Sequence, residues 1–135
     1  DTLFSIQSGD GQGFDSGLNS VKVDAATGTA SVITINASAA YTDWLAAAPS
    51  YATLDYAPDN DRFLFYHGGE TGKVYVITPN SGTAWDMSVL ATTGTPSATP
   101  ASGAGINKRF LYVPKLKGFV MVPKASSNIW YLRTK

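Results

Sequence analysis

Cysteine is missing from all 135 residues of this chain, and histidine occurs once. Without thiols there is no disulfide, no thiolate metal site and no cysteine nucleophile. Charge is scarce as well. Ten Lys/Arg and ten Asp/Glu make up 15% of the residues and cancel to a formal net charge of zero, against roughly 25% charged residues in an average soluble protein. No Lys/Arg run stands anywhere, so nothing supplies the electrostatic grip that nucleic-acid binding needs. Apolar stretches reach only about four to six residues, far short of the roughly 20 that span a bilayer as a helix. No nucleic acid and no membrane span are therefore expected.

What is present is Ser, Thr, Asn and Gly, on which solubility must rest, together with a hydrophobic content of 44%. A chain of this length folds as one compact unit that buries about two thirds of its unfolded surface. Asp1 opens onto what reads as mature sequence, without a leader pattern. This composition fits an extracellular or cell-surface location in bacteria, which is the expected compartment.

Periodicity points to strands almost throughout. Runs rich in Val, Ile, Phe and Tyr occur at Leu3–Ile6, Val21–Asp24, Ser31–Ile35, Thr53–Tyr56 and Arg62–Tyr66. Five more follow at Lys73–Thr78, Thr83–Leu90, Arg109–Val113, Gly118–Val122 and Asn128–Arg133. Ala25-Ala26-Thr27-Gly28 and Pro79-Asn80-Ser81-Gly82 end in glycine, as hairpin loops that need a positive φ do. Pro58, Pro79, Pro114 and Pro123 follow strands directly, where a missing N–H ends ladder pairing. Ala37–Ala48 places Tyr41, Trp44, Leu45 and Ala48 on one helical face, and fits either a short helical turn or a loop.

The strongest signal is a repeat. Tyr56-Ala57-Pro58 followed by Arg62–Tyr66 aligns with Tyr112-Val113-Pro114 followed by Gly118–Val122. The spacing is 56 residues for the Tyr56/Tyr112 pair and again for Phe63/Phe119. A further strand follows in each copy, Val74–Ile77 against Ile129–Leu132, one loop residue closer. A second echo matches the strands around Val21 and Ser31 to those at Lys73–Thr78 and Thr83–Leu90. Labelling strands a to d, residues 1–36 hold b, c and d, residues 51–90 a complete set, and residues 106–135 hold a, b and c. Residues 37–50 are an insert and 91–105 a crossover loop.

Repeats of about 40–50 residues with four strands each are the mark of β-propeller blades. The expected fold is therefore all-β: consecutive four-stranded antiparallel blades, about ten strands in all, forming an incomplete ring. The alternative is a self-contained β-sandwich or barrel. An incomplete ring implies partners, either the remaining blades of a parent protein or a second chain, because open blade faces and strand edges aggregate.

The stretches Leu54–Pro79 and Arg109–Thr134 resemble the C-terminal blades of bacterial kelch-like propellers, the type of the galactose oxidase central domain. His67-Gly68-Gly69 is similar to the glycine pair that ends a kelch strand. The resemblance implies a secreted or surface propeller whose ring binds ligands or supports a neighbouring domain. It does not imply the copper-radical chemistry, which uses a cysteine joined to a tyrosine and paired histidines.

No catalytic or metal constellation stands out, and no cofactor is expected. His67 beside Glu70 could shuttle a proton, but a lone histidine at a glycine turn reads first as a turn residue. Gly9–Asp15 lacks the Gly-Lys-Ser/Thr of a phosphate loop and the Asp spacing of a calcium loop. Asp59-Asn60-Asp61 reads as a tight turn capped by its own side chains. Asp55, facing away from Leu54 and Tyr56, would line the channel of a ring. Among aromatics, Phe63, Phe65, Phe110, Phe119, Trp85 and Trp130 read as core, and Tyr41 with Trp44 as a surface pair suited to stacking on sugar rings. The expected ligand contacts are Tyr41, Trp44, Asp55 and His67.

These readings converge on a non-catalytic propeller segment, a scaffold or a ligand-binding module with carbohydrate as the candidate ligand. Two alternatives remain open at this point: the ring portion of a carbohydrate-active or oxidative enzyme with active residues elsewhere, and a structural surface-assembly protein.

Overall fold

A computed structural model describes residues 2–4, 20–47, 53–66, 73–94, 109–123, 126 and 128–134. Among these residues ten strands and one α-helix follow each other as β1 (Thr2–Phe4), β2 (Ser20–Val23), β3 (Ala30–Ile35), α1 (Ala39–Ala47), β4 (Thr53–Ala57), β5 (Arg62–Tyr66), β6 (Val74–Thr78), β7 (Ala84–Leu90), β8 (Phe110–Val113), β9 (Gly118–Met121) and β10 (Trp130–Arg133). The chain is mostly β, and each of the ten strand runs in the sequence corresponds to an observed strand.

The repeat survives in three dimensions. β4 to β7 form an antiparallel meander in which Tyr56 pairs with Phe63 and Phe63 with Ile77. β8 to β10 form another in which Tyr112 pairs with Phe119 and Phe119 with Leu132. The cross-strand rings lie 5.0 Å apart in the first pair and 5.3 Å in the second. Even the turns agree: Asp61 and Lys117, again 56 residues apart, both adopt left-handed backbone with φ of 48° and 50°. Pro58 and Pro114 begin these turns, and in the second Pro114–Leu116 forms a short 3₁₀ turn.

The middle unit is covered on both sides, which is why its strands read as unbroken apolar runs. On one face Phe63, Phe65, Tyr75, Ile77, Trp85 and Met87 pack with Ile33 of β3 and Trp44 of α1. On the other, Ala57, Leu64, Tyr66, Val74 and Val76 pack with Phe110, Phe119 and Met121 of the last unit. Alternation along each strand thus feeds two separate cores.

One connection departs from self-contained units. β3 pairs in parallel with β7 through Thr34 with Ala84 and Ile35 with Trp85, so the first seven strands form one sheet ordered β1-β2-β3-β7-β6-β5-β4. β10-β9-β8 make a second sheet. The parallel joint continues through Asn36, whose N–H donates to Trp85 O at 2.8 Å.

The 37–50 insert holds a nine-residue helix. Ser38 caps it: its Oγ accepts the Tyr41 N–H at 3.1 Å and donates to Met87 O at 3.3 Å, fixing the helix start to β7. Trp44 then meets Phe65 and Tyr75 edge-on, with centroids 5.5 and 5.1 Å away. Asp43 accepts the Tyr75 hydroxyl at 2.7 Å and the Lys73 ammonium at 2.6 Å.

Candidate functional site

A cleft of about 530 Å³ opens where the first unit meets the second. Lys22 of β2, Tyr56 of β4, Asp61, Phe63, Pro79, Asn80 and Trp85 line it. Turn chemistry builds the walls. Asn80 Oδ1 accepts the Gly82 N–H at 2.8 Å while its amide donates to Ala84 O at 2.7 Å, closing the β6–β7 turn on itself. Trp85 Nε1 donates to Gly82 O at 3.1 Å, tying the buried indole under that turn. Across the cleft, the left-handed residue Asp61 accepts the Tyr56 hydroxyl at 2.6 Å.

Chemically the cleft combines an aromatic wall with donors and acceptors. The Tyr56 ring is 38% exposed and rests against Phe63. Lys22 donates to Ser81 O at 3.2 Å, and its ammonium has three protons to offer. The hydrogen bond to Asp61 holds the Tyr56 phenol above its ordinary pKa, with a smaller contribution from burial. An aromatic face beside a carboxylate, an ammonium and an amide can hold a hydroxyl-rich ring by stacking and by hydrogen bonds.

A second, smaller cavity of about 40 Å³ lies between the second and third units, lined by Tyr66, Phe110, Met121 and Trp130 among others. The Tyr66 hydroxyl is buried without a hydrogen-bond partner among the described residues, and burial raises its pKa. The space suits a single water.

The structure separates the residues that the sequence grouped. Trp44 is 2% exposed and belongs to the core, which corrects its assignment to the surface. The Ala-rich insert is a docked helix, and a docked helix needs a large side chain to anchor it. Tyr41, half-buried, packs against the same cluster. Asp55 is half-buried and spends both oxygens on backbone: Oδ1 accepts the Tyr56 N–H at 2.8 Å and Oδ2 the Tyr112 N–H at 2.6 Å. Neither Tyr41, Trp44 nor Asp55 lines the cleft. His67 and Gly9–Asp15 fall outside the described residues.

Asp59-Asn60-Asp61 does form a turn, as its composition suggests, but its side chains reach outward as well. Asp59 accepts the Tyr112 hydroxyl at 2.6 Å, and the Asn60 amide donates to Thr134 O. Sequence reading missed Lys22 and Asn80 as cleft residues. No local signal could have placed Lys22 beside a turn 59 residues away. Among the described residues no group of three or more His, Asp or Glu could hold a metal, and no helix is long and apolar enough to cross a membrane.

No family model matches this chain, and neither a curated protein nor a solved structure matches it.

Proposed function

We propose that this chain is a non-catalytic binding module for hydroxyl-rich ligands, with carbohydrate as the ligand class, carried on propeller-type blades in an extracellular or cell-surface protein. The observation that carries this reading is the cleft of about 530 Å³ in which the exposed Tyr56 ring stands beside Asp61, Lys22 and Asn80. Sugars present flat C–H faces to an aromatic ring and hydroxyls to such polar groups. Carboxylates placed for glycoside hydrolysis would face each other across the ligand; Asp61 is the one carboxylate among the described residues lining this cleft, which supports binding over turnover.

The blade reading is supported by the repeated meander and by the way each unit packs on the next. β4 and β8, the first strands of their units, run beside each other as inner strands of neighbouring blades do, joined through Asp55. The parallel joint between β3 and β7 favours the sandwich or barrel alternative at that one corner.

The test is a titration of the isotope-labelled chain with the methyl glycosides of glucose, galactose and mannose, each alone, followed by NMR. Saturable shifts centred on Lys22, Tyr56, Asp61 and Asn80, lost in Tyr56→Ala and Asp61→Asn, are expected. Shifts scattered over the surface, or unaltered by both substitutions, would refute the reading.

A further inference from the structure

The contact of the middle unit with the last unit follows a packing rule, and that rule leaves a prepared face on the last unit. Call face A the side of a unit carrying Phe63, Phe65, Tyr75 and Ile77. The positions equivalent to these in the last unit are Phe119, Met121, Trp130 and Leu132. They rest on the opposite side of the middle unit, face B, formed by Leu64, Tyr66, Val74 and Val76. These two units therefore stack head to tail, A on B, a heterologous contact that can be continued.

Applying the same correspondence once more gives face B of the last unit. Leu64 maps to Val120, Tyr66 to Val122, Val74 to Ile129 and Val76 to Tyr131. Each is apolar or aromatic; Val120 and Tyr131 lie on strands and Val122 and Ile129 directly beside them, and the register agrees where Leu111 pairs with Val120 and Val120 with Tyr131. Yet Ile129 is 70% exposed and Leu111 and Tyr131 are 48% exposed, whereas Leu64 and Val76 are 2% and 3% exposed. Solvated sheet faces ordinarily alternate to polar residues. This one is apolar at its centre, with Arg109 and Arg133 on the same side at its ends, and exposed apolar surface marks an interaction site.

We infer that the face formed by Leu111, Val120, Ile129 and Tyr131 docks a further unit of this same repeat, presenting an aromatic-rich face A. A second copy of the chain does not offer that surface. Face A of its middle unit is covered by Ile33 and Trp44, and face A of its last unit by the middle unit. At one position the correspondence changes: Leu111 stands where Asp55 stands, so the further unit is held by apolar burial without a carboxylate clip.

The experiment compares the chain with a tandem form in which residues 91–135 are repeated after Lys135, so that the added unit offers its own Phe119, Met121, Trp130 and Leu132. Solvent paramagnetic relaxation of methyl groups, with a neutral gadolinium chelate, reads exposure directly. In the tandem form the relaxation at Leu111, Val120 and Ile129 of the first copy falls by at least half, and Leu111→Glu together with Ile129→Glu restores it. The same two substitutions leave the melting temperature of the single chain unchanged, because those side chains are exposed there. Undiminished relaxation in a tandem form whose added strands are folded would overturn the inference. So would a single chain that sediments as a dimer with these methyls already shielded, since that would make the face a contact between like copies.

Discussion

The carboxylate of Asp55 on β4 accepts the backbone N–H of Tyr112 on β8 at 2.6 Å. Its other oxygen takes the N–H of Tyr56, the repeat equivalent of Tyr112, at 2.8 Å. The Val122 N–H bonds Arg109 O, so the bonded pairs of this hairpin are those of Arg109, Leu111 and Val113, and the Tyr112 N–H points away from β9. A strand edge turned toward a neighbouring sheet exposes such donors, and burying them unpaired is costly. One side chain thus closes the edges of two repeated strands at once.

Removing that side chain strands the Tyr112 donor. Asp55→Ala is expected to destabilise the chain by about 1–3 kcal/mol, the cost of an unsatisfied buried polar group. Asp55→Asn keeps one acceptor oxygen and should cost less. Urea denaturation measures both, and an Asp55→Ala midpoint equal to the parent's would show that the clip carries no stability.

Phe63 and Phe119 occupy the same place in their units, and both are buried, at 9% and 0% exposure. Each pairs with a repeat-equivalent tyrosine and fills a different core. Truncation of either to alanine is expected to cost about 3–5 kcal/mol. Because the two cores are separate, the losses should add in the double variant if it still folds. A near-neutral result at either position would break the structural equivalence of the two units.

The repeat was legible because it is written in local chemistry. Proline after a strand, a left-handed residue in the turn and an aromatic on the return strand recur at fixed spacing, and each is dictated by residues a few positions apart. The cleft was not legible for the opposite reason. Lys22, Tyr56 and Asn80 come from three distant segments, and only the parallel joint of β3 with β7 brings β2 beside the β6–β7 turn. Trp44 misled because an Ala-rich, weakly charged stretch reads equally as loop or helix; its burial follows from packing on Phe65 and Tyr75, partners that local sequence does not reveal. Asp55 lies on β4 next to Leu54, which packs against the core of Phe65 and Tyr75. Its partner, however, is a backbone amide 57 residues away.

Gly118 supplies a sharper test of the last sheet. A Cβ there would lie 2.5 Å from the Leu132 carbonyl oxygen and 2.8 Å from the Tyr131 ring. The first of these is backbone in the paired strand β10 and cannot swing aside. Gly118→Ala is therefore expected to cost about 1–3 kcal/mol through overpacking and to loosen amide protection in β9 and β10. Gly28→Ala is the control: among the described residues beyond its chain neighbours no atom lies within 4 Å of its Cβ, and the whole cost is that of its φ of 69°, about 1–2 kcal/mol. Equal protection of β10 in both variants would mean that β9 and β10 are not in contact as described.

Alkaline titration isolates the contact between the turn of the second unit and the third. The Tyr112 hydroxyl donates to Asp59 at 2.6 Å, and chiefly for that reason its pKa is pushed up to about 12. An unfolded tyrosine ionises near pH ~10. Between those values the unfolded chain sheds this proton while the folded chain keeps it, so the unfolded state binds fewer protons and stability falls as pH rises. The contribution is whole below pH ~10 and lost on passing through about 12. Phenolate absorbance, taken as the difference between the parent and Tyr112→Phe, should show one tyrosine titrating near 12. In Asp59→Ala the same difference should move back toward 10, with no change at Tyr75, whose carboxylate partner is Asp43. A Tyr112 titration that ignores the loss of Asp59 would mean that the β4–β5 turn does not reach β8, and the clip at Asp55 would lose its neighbouring support.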